Sequence, residues 1–194
     1  LRSRSPRSLV HGLPGSSRAF FLAWAYLRLK EAVPWVVVTA TREEALALQG
    51  DLVTWLPGVD VRLCPSWEVL PLDVEEPDAE LIGERLRAFL MLQRGDPGVV
   101  VAPLVGALKG TLPPGEWLDR LLLIRRGIEL PTDLEGRLVA LGFERVGQVM
   151  EAGQFAVRGG LVDLAPPGSP SGPVRIERFG DLVESIRHLD LTSQ

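Results

Sequence analysis

Cysteine is almost missing from this chain: its 194 residues hold one, Cys64, beside a single tyrosine, two histidines and two methionines. One thiol excludes an internal disulfide. With no histidine or acid at nucleophile or zinc-ligand spacing, Cys64 reads as a small apolar residue in a reducing cytosol. His11 and His188 sit near opposite ends of the sequence and form no H-x-x-x-H or His-Asp-Ser pattern, so each reads as a surface or turn residue. No catalytic set and no metal site emerge. Long apolar runs are missing too. Val36 to Val38 and Val99 to Val101 are far too short to cross a bilayer, and the amino terminus has no apolar leader, which points to a soluble, cytoplasmic chain with no membrane partner. Nor is there a basic excess: 21 Lys and Arg stand against 25 Asp and Glu, for a net charge of -4. Because duplex binding by phosphate neutralisation needs a basic face, this balance excludes a glove for nucleic acid. The one basic run, Arg2, Arg4 and Arg7 among serines, reads as a frayed terminus.

What remains is an ordinary globular mixture, 46% hydrophobic and 24% charged, long enough to bury a core without staples. Phe20, Phe21, Trp24, Leu27 and Leu29 recur at helical spacing until Pro34, and a strand follows at Trp35 to Thr39. Thr41 with Glu44 reads as a capping box opening a helix to about Trp55. A strand is expected over Val59 to Leu63, then a proline-rich, acidic loop from Pro65 to Pro77, whose carboxylates (Glu68, Asp73, Glu75, Glu76, then Asp78 and Glu80) read as solvated rather than metal-binding. Pro77 suits the first turn of a helix that buries Leu81, Leu86, Phe89 and Leu90 and ends near Gly95. Val99 to Ala102 is the next strand. Apolar strands separated by helices imply a parallel sheet covered on both faces, an α/β domain over residues 1–115 that closes at Leu112-Pro113-Pro114-Gly115. Residues 116–194 read differently. A strand at Leu121 to Ile124 and a short helix capped by Thr132 with Glu135 and closed by Gly142 precede four strands, Gln154 to Val157, Leu161 to Leu164, Val174 to Phe179 and Val183 to Leu189. Tight turns between them imply an antiparallel meander, hence a small α+β domain.

A glycine-rich segment ahead of the first helix occupies the place of a phosphate loop. Gly12, Gly15, Ser16, Ser17, Arg18 and Ala19 align with G-x-x-x-x-G-K-[ST], but Ser17 stands for the last glycine, Arg18 for the lysine and Ala19 for the hydroxyl that holds magnesium. Alanine cannot ligate a metal, and a forked guanidinium is no substitute for lysine in a tight nest. The segment reads as a degenerate phosphate loop that does not hydrolyse nucleotide.

The run from Gly153 to Pro166, GQFAVRGGLVDLAP, followed by PVRIERFGD from Pro173 to Asp181 and VESI from Val183 to Ile186, resembles the signature shared by UvrB and the transcription-repair coupling factors (Mfd). Trp67-Glu68-Val69-Leu70-Pro71 and Glu84-Arg85-Leu86 resemble the coupling-factor branch. That resemblance implies a degenerate RecA-like, P-loop NTPase-like domain followed by a UvrA-docking domain. It implies a module without catalysis and without a cofactor, ATP and magnesium belonging to a translocase motor elsewhere in the full-length polypeptide. Its partners would be UvrA and the rest of its own polypeptide, with RNA polymerase and DNA met only through the full-length protein. The residues carried over for UvrA are Arg158, Arg175 and Phe179, two guanidiniums and an aromatic, the mixture common at interface hot spots. A simpler account pairs the two arginines with Asp163 or Glu177 on a solvated sheet. The alternative function is a UvrB-like, ATP-dependent binder of damaged DNA. Against it stand the broken phosphate loop and an acidic loop after Cys64 whose one aromatic is Trp67.

Overall fold

In the computed structural model of the chain, which describes residues 8–29, 32–66, 78–111, 113, 116, 121–169 and 171–191, helices and strands alternate through the first half and strands dominate the second. Helix α1 (Ser17–Leu29) leads into β1 (Pro34–Thr39) and α2 (Arg42–Trp55), as the periodicity predicts. Thr41 caps α2 by accepting from the Glu44 N–H at 3.2 Å, while the Glu44 carboxylate reaches back to the Ala40 N–H. Strand β2 (Val61–Leu63) is shorter than expected, because Val59 closes the turn after α2 by donating to Leu56. Helix α3 (Ala79–Arg94) ends on left-handed Gly95, and β3 (Gly98–Pro103) and the short α4 (Leu104–Leu108) follow.

The three strands form a parallel sheet in the order β1-β3-β2. Every residue of β3 is buried, as the centre of a parallel sheet requires. Val99 and Val101 pack with Ala19, Ala23, Ala45 and Leu52 of α1 and α2, whereas Val100 and Ala102 pack with Ala88 and Met91 of α3. Both faces are therefore covered. Cys64 is buried in the second cluster, and burial pushes its thiol pKa up against the pull of nearby Arg85.

Helix α3 departs from the expected pattern. It buries Gly83, Arg85, Ala88 and Met91, while Leu86 is exposed and Leu81, Phe89 and Leu90 are half-buried. Small residues win the inner face because backbone comes close there: a Cβ on Gly83 would overlap the Pro167 carbonyl and the Gly168 amide. The Gly168 N–H donates to the Glu80 carboxylate at 3.1 Å across the same contact. Gly83→Ala is therefore expected to lower stability by about 1–3 kcal/mol, since backbone has to move to admit one methyl; a melting temperature equal to the wild type's would show that the contact is loose. Asp78 caps α3 by accepting from the Glu80 N–H, and Ala79 opens the first turn. Pro77, the loop segment 67–77, Arg2, Arg4 and Arg7, and Leu112, Pro114 and Gly115 lie outside the described residues.

The second half carries α5 (Leu134–Ala140) and a mixed five-stranded sheet in the order β4-β5-β6-β7-β8: β4 (Glu144–Arg145), β5 (Gln154–Arg158), β6 (Leu161–Leu164), β7 (Val174–Phe179) and β8 (Leu182–His188). Strands β5 to β8 are the expected antiparallel meander, and the unforeseen β4 adds a short parallel pairing. Two further expectations are corrected. Leu121 to Ile124 is no strand; Leu122 and Ile124 pack as irregular chain against the core, and Glu129 bridges to β8 instead. The cap of α5 is Asp133, whose side chain accepts from the Gly136 N–H at 3.0 Å, and Glu135 pairs with Arg145 rather than closing a box with Thr132. Gly142, at φ 91°, does stand just past the helix. One face of the sheet buries Phe155, Val162, Leu164, Ile176 and Val183 under Leu130, Leu134 and Leu138.

Candidate functional site

The opposite face of that sheet holds the residues singled out from the sequence. Side chains alternate along a strand, and directly paired residues of antiparallel neighbours share a face. Ala156, Asp163, Arg175 and Arg187 form one row across β5 to β8, and Arg158, Leu161, Glu177 and Ser185 form the next. Alternation along β7 adds Phe179 to this face. Arg158, Arg175 and Phe179 therefore face one way, on the broad face of a sheet in which β7 is an inner strand. Phe179 is the last residue of its strand.

Each side chain has its own local cause. Phe179 is 78% exposed, since it stands where the sheet ends at the Gly180-Asp181 turn, with Gly180 at φ 60°. Arg158 precedes the matching Gly159-Gly160 turn and is exposed, and its Nη2 donates to the Gly147 carbonyl at 2.7 Å. Arg175 grips Asp163 in a bidentate pair, Nε to Oδ1 at 2.6 Å and Nη2 to Oδ2 at 2.7 Å. The Asp163 side chain is 3% exposed and that of Arg175 30%, so the carboxylate is sunk in the sheet and the guanidinium is offered above it. That hydrogen bond raises the Arg175 pKa above its ordinary value.

The plain pairing account thus holds for Arg175 and Asp163 but not for Arg158, whose described partner is a carbonyl. Glu177 is occupied elsewhere: it accepts from Ser185 Oγ at 2.6 Å and from Arg187 Nη2 at 3.1 Å. Arg187 is a further guanidinium of this face that sequence reading missed. Only the strand register brings it opposite Arg175, and register is not written in the alternation of either strand alone. Two of the three guanidiniums engage Asp163 and Glu177, and the Glu129–Leu182 bridge sets a third, exposed carboxylate on the same side, so charge of both signs surrounds an exposed aromatic ring.

The glycine-rich segment ahead of α1 lies far along the chain from this face. Gly12 and Gly15 are left-handed, at φ 77° and 53°, and the first N–H groups of α1 are already taken: Ser17 N–H and Oγ both donate to the Pro14 carbonyl, at 3.2 and 2.6 Å, and Arg18 N–H to that of Gly15. Ala19 is fully buried in the core. A cavity of about 240 Å³ beside Gly15, Ser16 and Arg18 is also lined by Glu44 and Asp51, the wrong charge for a phosphate. His11 and His188 are exposed, Asp78 and Glu80 are used as cap and loop contact, and Glu68, Asp73, Glu75 and Glu76 lie outside the described residues. Among the described residues no helix is long and apolar enough to cross a membrane, and no group of three or more His, Cys, Asp or Glu is placed to hold a metal.

A family profile described as the UvrB interaction domain matches residues 122–194, the half that carries the sheet. The transcription-repair-coupling factor of Haemophilus influenzae is 38% identical over 160 residues, 82% of this chain and 14% of that protein. That of Bacillus subtilis is 35% identical over 188 residues, and that of Staphylococcus epidermidis 30% over 187, each match covering 96% of this chain and 16% of the relative. The chain thus spans about one sixth of the length of these relatives. With a profile on the second half and relatives aligned across both halves, the chain belongs to the transcription-repair-coupling factor family, as its UvrB-homology module.

Proposed function

We propose that this chain is a non-catalytic binding module that attaches UvrA, and through it excision repair, to an RNA polymerase stalled at a lesion in the cytoplasm. The observation that carries the reading is the single sheet face on which Arg158, Arg175 and Phe179 stand together, two of them tethered and the third bare. Residues 116–194 are the docking domain. Residues 1–115 are a RecA-like remnant whose phosphate loop no longer grips nucleotide, because its helix-terminal N–H groups are spent on the turn and its metal hydroxyl is replaced by buried Ala19. DNA, RNA polymerase, ATP and magnesium belong to the remaining five sixths of the parent polypeptide.

The direct test is titration of the chain into purified UvrA, with saturable binding expected and its absence fatal to the proposal. Isothermal titration with ATP and magnesium is expected to give neither heat nor turnover. Stoichiometric nucleotide binding would favour a UvrB-like clamp instead. Comparison with the full-length protein tests masking, since a covered face binds UvrA more weakly than the free chain.

A further inference from the structure

The docking face has a feature that the two arginines and the phenylalanine do not explain. Strands β7 and β8 pair regularly from Val174 with His188 to Glu177 with Ser185, and then the register slips, so that Arg178 meets Val183 and Phe179 meets Leu182. Glu184 is the extra residue, a bulge in β8. Had the earlier offset continued, Phe179 would sit opposite Val183, and Val183 would share its outward face. The slip reverses this. Val183 turns into the core, where it is 1% exposed, and Leu182 emerges directly beside Phe179 at 43% exposure. Bulges re-aim side chains at functional places, and this one places a second apolar group against an already bare ring.

A third group completes the cluster. Leu161 starts β6 opposite Glu177, and the Arg178 N–H donates to the Gly160 carbonyl, so Leu161 is the diagonal neighbour of Phe179 on the same face, with 36% exposure. Arg158 is paired with Leu161, Arg175 and Arg187 stand two rows from Phe179 on the same face, and the exposed Glu129 bridges to Leu182 on its other side. The two carboxylates of these rows, Asp163 and Glu177, are both already bonded within the chain, and Asp181 at the adjoining turn pairs with Arg178. An apolar centre with guanidiniums on one side and the Glu129 carboxylate on the other is therefore built at the turn end of the sheet.

We infer that Leu161, Phe179 and Leu182 form the apolar centre of the docking face, and that the UvrA surface it meets is an apolar socket with carboxylates on the side that faces Arg158. The inference rests on the docking reading above and adds to it the residues of the centre and the chemistry of the partner. Interface energy concentrates where apolar side chains are fully desolvated inside a polar ring, so the two leucines carry affinity as well as shape.

The test is titration of purified UvrA with the whole chain carrying Leu182→Ala, Leu161→Ala, Arg158→Ala or, as a control on an exposed apolar group of α5, Val139→Ala. Leu182→Ala is expected to weaken binding about tenfold and Leu161→Ala severalfold, with Val139→Ala unchanged. Circular dichroism and thermal melting establish that each variant is folded, and the two leucine substitutions stand in for one another should either misfold. Binding within twofold of the wild type for both leucine variants, while Arg158→Ala weakens it, overturns the apolar centre and leaves the docking reading in place. If Arg158→Ala is also without effect, the docking reading itself falls and this inference with it.

Discussion

Replacing Arg158 with alanine is expected to weaken UvrA binding by about 2 kcal/mol or more, roughly thirtyfold, while leaving the fold intact. The side chain is exposed, its described tie is one hydrogen bond to the Gly147 carbonyl, and no buried group is stranded when it goes. That tie matters for binding, because a guanidinium held in place before the encounter loses less freedom on docking. Arg175→Ala is expected to cost at least as much affinity but to be less clean. It leaves Asp163, 3% exposed, without its cation, and stranding a buried charge destabilises a fold by about 3–5 kcal/mol. The two variants are therefore separated by thermal melting before affinities are compared. Lys at 175 restores charge but not the bidentate grip, so Arg175→Lys is expected to recover part of the stability and little of the binding. Wild-type affinity in a folded Arg158→Ala variant that also carries Arg175→Lys would remove the guanidiniums from the interface.

A loss of stability of similar size is expected elsewhere, at Arg85. This side chain is 2% exposed and works as an internal clamp: Nη1 donates to the Pro65 carbonyl at 3.1 Å and to that of Gly106 at 2.8 Å, and Nη2 to that of Lys109 at 3.0 Å. Gly106 and Lys109 lie at the end of α4, where helix carbonyls lack partners of their own, and Pro65 follows the exit of β2. The guanidinium also covers the Phe89 ring at 4.7 Å. Hydrogen bonds from a charged donor contribute about 1.5–3 kcal/mol each, and carbonyls left buried without donors carry a penalty of their own. Arg85→Met keeps the volume and removes the donors, so it is expected to destabilise the first half by about 3–4 kcal/mol in urea unfolding. A loss under about 1 kcal/mol would mean that water replaces the guanidinium without difficulty.

Much of this architecture is legible from local chemistry. The capping box of Thr41 and Glu44, the left-handed Gly95 and the glycine-rich hairpin turns each act over a few residues, and each stands where the sequence puts it. What stays hidden depends on contacts between distant segments. Arg85 looks like any helical arginine until the strand exit and α4 arrive around it, and the inner face of α3 passes to Gly83 and Ala88 because another loop presses on it. Thr132 and Asp133 are both good caps one residue apart, and side-chain identity alone does not choose between them. Four apolar residues at Leu121 to Ile124 suit a strand or a core-covering coil equally. For the docking face, alternation along β7 gives the grouping of Arg175 with Phe179, but the place of Leu182 depends on a register slip that neither strand announces.

The meeting of Gly83 with the Pro167-Gly168 backbone bears on how this protein can be dissected. The family profile begins at residue 122, yet one wall of the β6–β7 connection is supplied from residues 80–83, so the profile boundary is not a physical seam. A piece trimmed to the profile would leave the Gly168 amide without the Glu80 carboxylate and strip the cover from the stretch that joins Asp163 to Arg175. Protease nicking and rapid amide exchange around 166–169 would be its signature, and α3 belongs in any minimal unit meant to hold the arginine ladder steady.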